Sequence, residues 1–343
     1  MYLCGKNMTI DKKNALHQWR LPAEWEPQEG VQLTWPHADT DWAPILNDII
    51  VVYQSMAREI ARRERLIVVA PEDAASDCLK IICPTNDTWA RDHGFISLVD
   101  DNSHRRLLDY RFNGWGEKFE AALDNAINHH LYDLGEIAGE YTDCLDFVLE
   151  GGSIESDGQG TIFTTSQCLL APHRNQPMTK DEIEARLKRD LCAERVLWID
   201  YGNLIGDDTD GHIDTIVRIC PDDTLLYMGC DNPEDEQYDD LKKMEAQLQS
   251  FRTLEDKPYR LMKLPMPRPI YDGEDRLPAT YANFLIINDA VLCPTYNQPD
   301  LDDEALRIIG ETFPDREIIG IDCCPVIRQH GSLHCCTMHF PKI

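Results

Sequence analysis

Arg65-Leu66-Ile67-Val68-Val69-Ala70 is a short apolar run with strand character. It follows an amphipathic stretch at 43–63, where Ile49, Ile50, Tyr53, Met56, Ala57, Ile60 and Ala61 recur at helical spacing. Working outward, similar runs begin near His130 (HLYDLG), Arg195 (RVLWID), Arg260 (RLMKLP) and Glu317 (EIIGID). Each has its own amphipathic stretch before it, at 117–129, 179–192, 234–250 and 301–313. The starts lie about 65 residues apart for the first three intervals and slightly closer for the last. Further strand-like runs stand between them, at 95–99, 161–165, 212–219, 224–229, 283–288 and 290–296. A period of this length marks repeated supersecondary units. Five copies of α/β alternation predict a true repeat.

The polar motifs fall at similar places on that ruler. Asp92 lies 27 residues after the first start, Glu150 20 after the second, His212 17 after the third and Cys335 18 after the fifth. If the repeats form a ring, these places face a common axis and one site results.

Composition narrows what such a site could serve. The 343 residues are 43% hydrophobic and 27% charged, which fits a water-soluble globular chain long enough for a large core. A net charge of −28 argues against nucleic acid, which needs a basic footprint. It favours a small cation, although salt screens that attraction. Met1 to Arg20 shows no apolar signal region, and no apolar run approaches a membrane span. A cytoplasmic protein that avoids membranes is therefore expected. The thirteen cysteines include no Cys-x-x-Cys pair and read mostly as buried thiols of a reducing compartment.

Cys335, in Gly331-Ser332-Leu333-His334-Cys335-Cys336-Thr337, is the candidate nucleophile. A thiol must ionise to attack and needs a base or cation nearby. His212, in Gly211-His212-Ile213-Asp214, can act as general acid and then as general base. Glu150, in Leu149-Glu150-Gly151-Gly152, is expected to fix the tautomer of His212, and its glycines allow close backbone approach. Asp92, in Trp89-Ala90-Arg91-Asp92, and Asp214 are two further carboxylates. Two carboxylates beside a thiol repel an anion and suit a guanidinium, which is planar, permanently cationic and rich in donors. Blander readings stay open. Cys335 could be a core thiol, His212 and Asp214 polar neighbours on one strand face, and Asp92 half of a structural Arg–Asp turn. A zinc site on His212, Asp214, His334 and Cys335 is the weaker alternative, because no zinc-binding spacing is present. No glycine-rich phosphate loop is visible either.

Together these motifs resemble the agmatine deiminase family, within the peptidylarginine-deiminase-like guanidine-modifying enzymes. The resemblance starts at Leu21-Pro22-Ala23-Glu24-Trp25-Glu26-Pro27 and Thr34-Trp35-Pro36. It runs through Asp87-Thr88-Trp89-Ala90-Arg91-Asp92-His93-Gly94, Arg111-Phe112-Asn113-Gly114-Trp115-Gly116 and Leu149-Glu150-Gly151-Gly152-Ser153. It continues in Asp157-Gly158-Gln159-Gly160-Thr161, Asp210-Gly211-His212-Ile213-Asp214 and Tyr281-Ala282-Asn283-Phe284, and ends at His330-Gly331-Ser332-Leu333-His334-Cys335. The family implies an α/β fold, a five-bladed α/β propeller (pentein) with pseudo-fivefold repeats around a central site. It implies a single deiminase domain over 1–343, with 1–20 a flexible or peripheral extension. It also implies that Cys335 forms a covalent thiouronium with agmatine. Asp92 and Asp214 would hold the guanidinium, and His212, supported by Glu150, would protonate ammonia and then activate water. The product would be N-carbamoylputrescine, a precursor in putrescine and polyamine synthesis. Trp89, Trp115 and Asp208 would complete the substrate pocket. No metal or organic cofactor is implied, and a homodimer is.

Two places depart from the family pattern. Plant-type members carry Gly-Gly-Asn-Ile-His-Cys where this chain has His330-Gly331-Ser332-Leu333-His334-Cys335, and Asp208 stands where Glu is expected. The alternatives are a deiminase of peptidyl-arginine or another guanidino compound, an amidinotransferase, and a non-enzymatic propeller that binds a partner. For free arginine, Arg276 is the candidate partner of the substrate carboxylate. The non-enzymatic reading predicts loss of the five polar residues, all of which are present.

Overall fold

Strands Gln28–Thr34 and Arg65–Ala70 run parallel because helix α1, Leu46–Ala61, carries the chain back between them. The computed structural model describes residues 19–74, 78 and 80–343. α1 forms where the apolar spacing predicts it. Ile49, Val52, Tyr53, Met56, Ala57 and Ile60 are buried along one stripe, whereas Ile50 is half-buried and Ala61 exposed. Each fully buried large aliphatic side chain contributes roughly 1.5–3 kcal/mol, so this stripe fixes the helix to its sheet.

The same unit, an antiparallel hairpin followed by a helix and a parallel third strand, recurs along the chain. Ile96–Asp100 and Arg105–Arg111 pair antiparallel, and α2 (Ala122–Asp133) leads to Glu140–Val148. Ile154–Ser156 and Thr161–Thr165 follow, with α3 (Lys180–Asp190) and Arg195–Ile199. Val217–Cys220 and Thr224–Met228 take α4 (Tyr238–Ser250) and Arg260–Leu264. Leu285–Ile287 and Ala290–Thr295 take α5 (Pro299–Thr312) and Glu317–Asp322. The first unit is completed by the C-terminal strand Thr337–Pro341, which pairs antiparallel with Gln28–Thr34. The C-terminal strand and the strand Gln28–Thr34 are thereby joined in one sheet.

Four of the five expected strand starts, at Arg65, Arg195, Arg260 and Glu317, head the third strand of a unit. The fifth, His130, is corrected. HLYDLG is the end of α2, and the third strand of that unit is Glu140–Val148. Leu131 faces the core, and Gly135 (φ +70°) closes the helix. The Gly135 N–H donates to the Tyr132 carbonyl and the Glu136 N–H to the Leu131 carbonyl, the paired bonds of a Schellman cap. The run expected at 212–219 also divides. Ile213–Thr215 is a 3₁₀ turn and only Val217–Cys220 is strand, so His212 and Asp214 do not share a strand face. Of the expected N-terminal extension, 1–18 lie outside the described residues. Trp19 and Arg20 pair with Asp100 and Val99 and belong to a sheet edge.

Arg218 ties the units together. It is fully buried on the strand Val217–Cys220. Its Nε donates to Glu155 Oε1 of the neighbouring hairpin at 2.6 Å, and its Nη2 lies 3.1 Å from Glu24 Oε2. Its Nη1 donates to the carbonyls of Ala282 and Phe284 just before the next hairpin, and the guanidinium sits 4.5 Å over the Phe284 ring. Removing one partner of a buried pair leaves the others charged and unpaired. Arg218→Met should therefore lower unfolding free energy in urea by roughly 3–5 kcal/mol. A loss under about 1 kcal/mol would show that the units hold together without it.

Candidate active site

Four short turns carry the expected chemical residues, each just before the first strand of a hairpin. Ala90–His93 holds Asp92 and precedes Ile96–Asp100. Glu150 caps the turn Gly151–Ser153, which runs into Ile154–Ser156. His212 caps Ile213–Thr215, which holds Asp214, and Cys335 sits in His334–Cys336 ahead of Thr337–Pro341. The corresponding place in the remaining unit is Asn283, before Leu285–Ile287.

These turns meet at the bare Cα of Gly152. A Cβ built there would lie 2.7 Å from His212 Nδ1, 2.9 Å from Asp92 Oδ1 and 3.1 Å from Asp214 Oδ2. Only glycine lets the three groups approach so closely. Asp92 is held from both sides: the Gly152 N–H donates to Oδ1 at 3.0 Å and the Trp115 indole N–H to Oδ2 at 3.0 Å. His212 Nδ1 stands 3.6 Å from Asp92 Oδ1. Asp214 Oδ2 lies 2.7 Å from His334 Nδ1 and 4.0 Å from Cys335 Sγ. Among the described residues, Asp214 Oδ1, Glu150 Oε2 and both ring nitrogens of His212 are buried without a hydrogen-bond partner. Four such atoms fall together at this one point, where a polar ligand would satisfy them.

Glu150 stands beside His212, but its closest bond is to another residue. Arg174 Nε donates to Oε1 at 2.9 Å, and Arg174 also bonds Asp210 and the Thr209 carbonyl. Arg174 thus links the loop before His212 to Glu150. Asn283 is the residue that sequence reasoning did not place in the site. Its Oδ1 accepts from the His334 N–H at 2.9 Å and the Cys335 N–H at 3.3 Å, and lies 3.4 Å from Cys335 Sγ. Its Nδ2 donates to the Asp214 carbonyl at 3.2 Å. The available signal was its place in the fourth repeat, matching that of Cys335 in the fifth.

The site suppresses its own charge. Burial and the neighbouring Glu150 carboxylate push Asp92 up to about 7. Burial and Asp92 raise Asp214 well above the usual carboxylate range. Burial, with Asp214 and Asp92, raises the Cys335 thiol well above its usual value. Burial and the cations of Arg174 and Lys118 hold His212 well below its ordinary value. Thiol, imidazole and carboxyls are thus biased toward their neutral forms until a cation enters.

A cavity of about 430 Å³ adjoins these groups. Trp89, Trp115 and Phe119 give it aromatic walls, and Asp41, Asp87 and Asp208 add carboxylates to those of Asp92. Among the described residues no Lys or Arg lines it. Trp89 donates its indole N–H to Asp87 at 3.1 Å and packs edge-on to Trp115. Gly331 makes room for Trp89, since a Cβ there would meet the indole at 2.2 Å. Burial, reinforced by Asp207, pushes Asp208 up to about 6. Arg276 is elsewhere, bonded to Asp235 at 3.0 Å and to Glu236.

Two groups of metal-type donors lie within 4.8 Å of one another: Glu150, Cys168 and His212, and Glu24, Glu155 and His334. In each an arginine already bonds a carboxylate, Arg174 to Glu150 and Arg218 to Glu155, and opposes a further cation. The zinc set considered from sequence, His212, Asp214, His334 and Cys335, does not form such a group among the described residues. The twelve cysteines described are free thiols, and no described helix is long and apolar enough to cross a membrane.

Known proteins resemble this chain along nearly its whole length. Residues 20–341 match the family model of the Porphyromonas-type peptidyl-arginine deiminase. A solved structure from Porphyromonas gingivalis, named a putative arginine deiminase, is 48% identical, with TM-score 0.89 over 94% of this chain and 98% of that one. A cysteine-to-serine variant of C. jejuni agmatine deiminase with substrate bound is 34% identical, with TM-score 0.87 and 100% of both chains covered. A protein of Marinomonas sp. (strain MWYL1), named putative agmatine deiminase, is 31% identical over 97% of each chain.

The raised Asp92 has a consequence for stability. It binds its proton more tightly in the folded protein, at about 7, than at its ordinary value of 3.8. Its contribution is therefore fully present below about 3.8 and is lost as pH rises through about 7. Asp92→Asn cannot ionise. The fall in Tm between about pH 5 and about pH 8 should be smaller by several degrees in Asp92→Asn than in wild type. Parallel Tm curves would place the Asp92 proton elsewhere.

Proposed function

The chain belongs to the Porphyromonas-type peptidyl-arginine deiminase family, its relatives include agmatine deiminases, and on that premise we propose that it hydrolyses agmatine to N-carbamoylputrescine and ammonia. The observation that carries this reading is the convergence of Asp92, His212 and Asp214 on Gly152, with Cys335 Sγ 4.0 Å from Asp214. Two carboxylates, a base and a thiol in one buried site suit a planar cation and a nucleophilic attack on its carbon.

In this reading the whole chain is one deiminase domain. Its five hairpin–helix–strand units are the blades of a propeller whose pre-strand turns face a common centre. The guanidinium docks on Asp92 and Asp214. His212 takes the thiol proton, and the Cys335 thiolate adds to the guanidinium carbon. The imidazolium returns that proton to the departing nitrogen, which leaves as ammonia, and a cationic thiouronium remains on sulfur. His212 then removes a proton from water, and the resulting hydroxide adds to the same carbon. The carbon–sulfur bond breaks, the His212 imidazolium returns its proton to the leaving sulfur, and the hydroxyl of the adduct becomes the ureido carbonyl by giving up its proton, which departs with the ammonia as ammonium. Glu150 and Arg174 orient His212 rather than share its proton. The first half uses the thiol proton and the second the two protons of water, and neither step needs an oxidant or reductant.

The cavity favours agmatine over free arginine. Agmatine is cationic at both ends, and the wall offers Asp41, Asp87 and Asp208 with aromatic faces for the tetramethylene chain. An α-carboxylate would meet these carboxylates without a cation, because Arg276 is engaged by Asp235. Transfer to an amine in place of water is the reading from another class, and it would leave hydrolysis slow in the absence of an amine acceptor.

Ureido product and ammonia should appear from agmatine, and far less from free arginine or an N-acylated arginine peptide. Cys335→Ala should reduce turnover by a factor on the order of 10⁴ or more while keeping the fold. Preferred turnover of the peptide would keep the chemistry and overturn the substrate. The KM for agmatine should fall as pH rises through about 6 to about 7, where Asp208 and Asp92 ionise. A KM flat across that window would remove these carboxylates from recognition of the cation.

A further inference from the structure

Behind the reacting groups lies a second cavity, of about 520 Å³, whose lining includes Glu24, Arg91, Glu155, His334 and His339. The layer between the two cavities is one residue thick in places. Asp92 and Cys335 line the first cavity, while their chain neighbours Arg91 and His334 line the second. One side chain spans the layer. His334 Nδ1 lies 2.7 Å from Asp214 Oδ2, and His334 Nε2 lies 2.7 Å from Glu24 Oε2.

Both contacts are short enough to be hydrogen bonds, and each needs a hydrogen. Three arrangements of equal total charge supply them, and the one in which a protonated Glu24 donates to Nε2 is disfavoured by Arg218 and Arg91, which lie 3.1 Å and 3.6 Å from its carboxylate, so two remain. In one, a protonated Asp214 donates to Nδ1 of a neutral imidazole whose Nε2–H donates to the Glu24 carboxylate. In the other, an imidazolium donates to two carboxylates. The total charge is the same, and the arrangements differ only in where one proton sits along the Asp214–His334 bond.

We propose that His334 is a positioning residue that takes the proton of Asp214 when a guanidinium docks and gives it back when the ligand leaves. The O–H bond of Asp214 breaks and the Nδ1–H bond of His334 forms, so a carboxylate is created under the ligand without any proton leaving the protein. The inference rests on the guanidinium reading of the site. The surroundings set the direction at each stage. In the free protein burial and Asp92 disfavour a charged Asp214 more than Arg218 and Arg91 favour it, and burial with Arg218 and Arg91 disfavours a charged His334 more than Glu24 favours it. Arg218 Nη2 lies 3.3 Å from His334 Nε2. Glu24, whose carboxylate lies 3.1 Å from the Arg218 guanidinium and 3.6 Å from that of Arg91, remains a carboxylate to receive Nε2–H. A ligand cation beside Asp214 and Asp92 reverses the first of these biases, and Glu24 then stabilises the imidazolium.

Calorimetric titration of agmatine into Cys335→Ala protein, in buffers of different ionisation enthalpy near neutral pH, counts the protons released. Adding His334→Asn keeps a donor toward Asp214 but removes the base. That double variant should release one proton more on binding, and bind roughly tenfold or more weakly near neutral pH, with the gap closing as pH rises. Equal proton release with a parallel pH profile would overturn the relay. Imidazole ¹⁵N spectra of the Cys335→Ala protein test it with His334 in place: a neutral Nε2–H tautomer without ligand, and imidazolium with agmatine. A His334 that stays neutral in the complex, or is already imidazolium in the free protein, sinks the proposal. If agmatine fails to bind at all, the substrate reading falls, and the same pair of spectra taken without and with guanidinium chloride decides the relay.

Discussion

The rest of the structure depends on a charge taken entirely out of water. Arg218 is buried among Glu155, Glu24, two backbone carbonyls and the face of Phe284. Apolar side chains could fill the same volume with comparable stability. What they could not do is fix polar partners in place. Arg218 holds Glu24, Glu24 meets His334, His334 meets Asp214, and Asp214 faces Cys335. A break at the start of this chain would be felt at the sulfur at its end.

The neutral bias of the site follows from the same cost of buried charge. A buried carboxylate, thiolate or imidazolium without a partner is unfavourable, so each group drifts to its uncharged form. A ligand that brings its own cation is then itself the missing partner. In the proposed reaction it would lower the cost of ionising Asp92, Asp214 and Cys335 when these charges are needed. Interactions of this type strengthen toward the transition state and not merely in the bound complex, which is the condition for accelerating a reaction.

Much of this was legible from the sequence, for identifiable reasons. Third strands such as RVLWID alternate with amphipathic helices, and their apolar periodicity survives reading one residue at a time. HLYDLG misled because a helix end closed by Gly135 also shows apolar residues before a glycine, while the true strand Glu140–Val148 carries Glu140, Asp143 and Asp146 and looks polar. The polar residues of the site were legible because each repeat carries its own polar motif after the strand start, although the offsets vary. Arg174 and Arg218 were not, since nothing local says that Arg174 bonds a glutamate 24 positions away or Arg218 one 63 away. Asn283 was hidden by chemistry, because an amide neither titrates nor attacks. Its work is to hold the His334 and Cys335 backbone, which only the folded chain displays.

One backbone device, repeated in five units, therefore supports six residues. In every unit a short turn precedes the first hairpin strand, and at that turn stand Asp92, Glu150, His212 with Asp214, Asn283 and Cys335. Repetition supplies the geometry, because similar turns on similar sheets deliver side chains to one place. It cannot supply the chemistry, because five identical side chains meeting there would offer one function five times over. A site with a nucleophile, a base and two anionic anchors requires the repeats to differ at the position where the backbone is most alike. The asymmetry of the turns, set in a regular frame, is what converts a repeated fold into an active site.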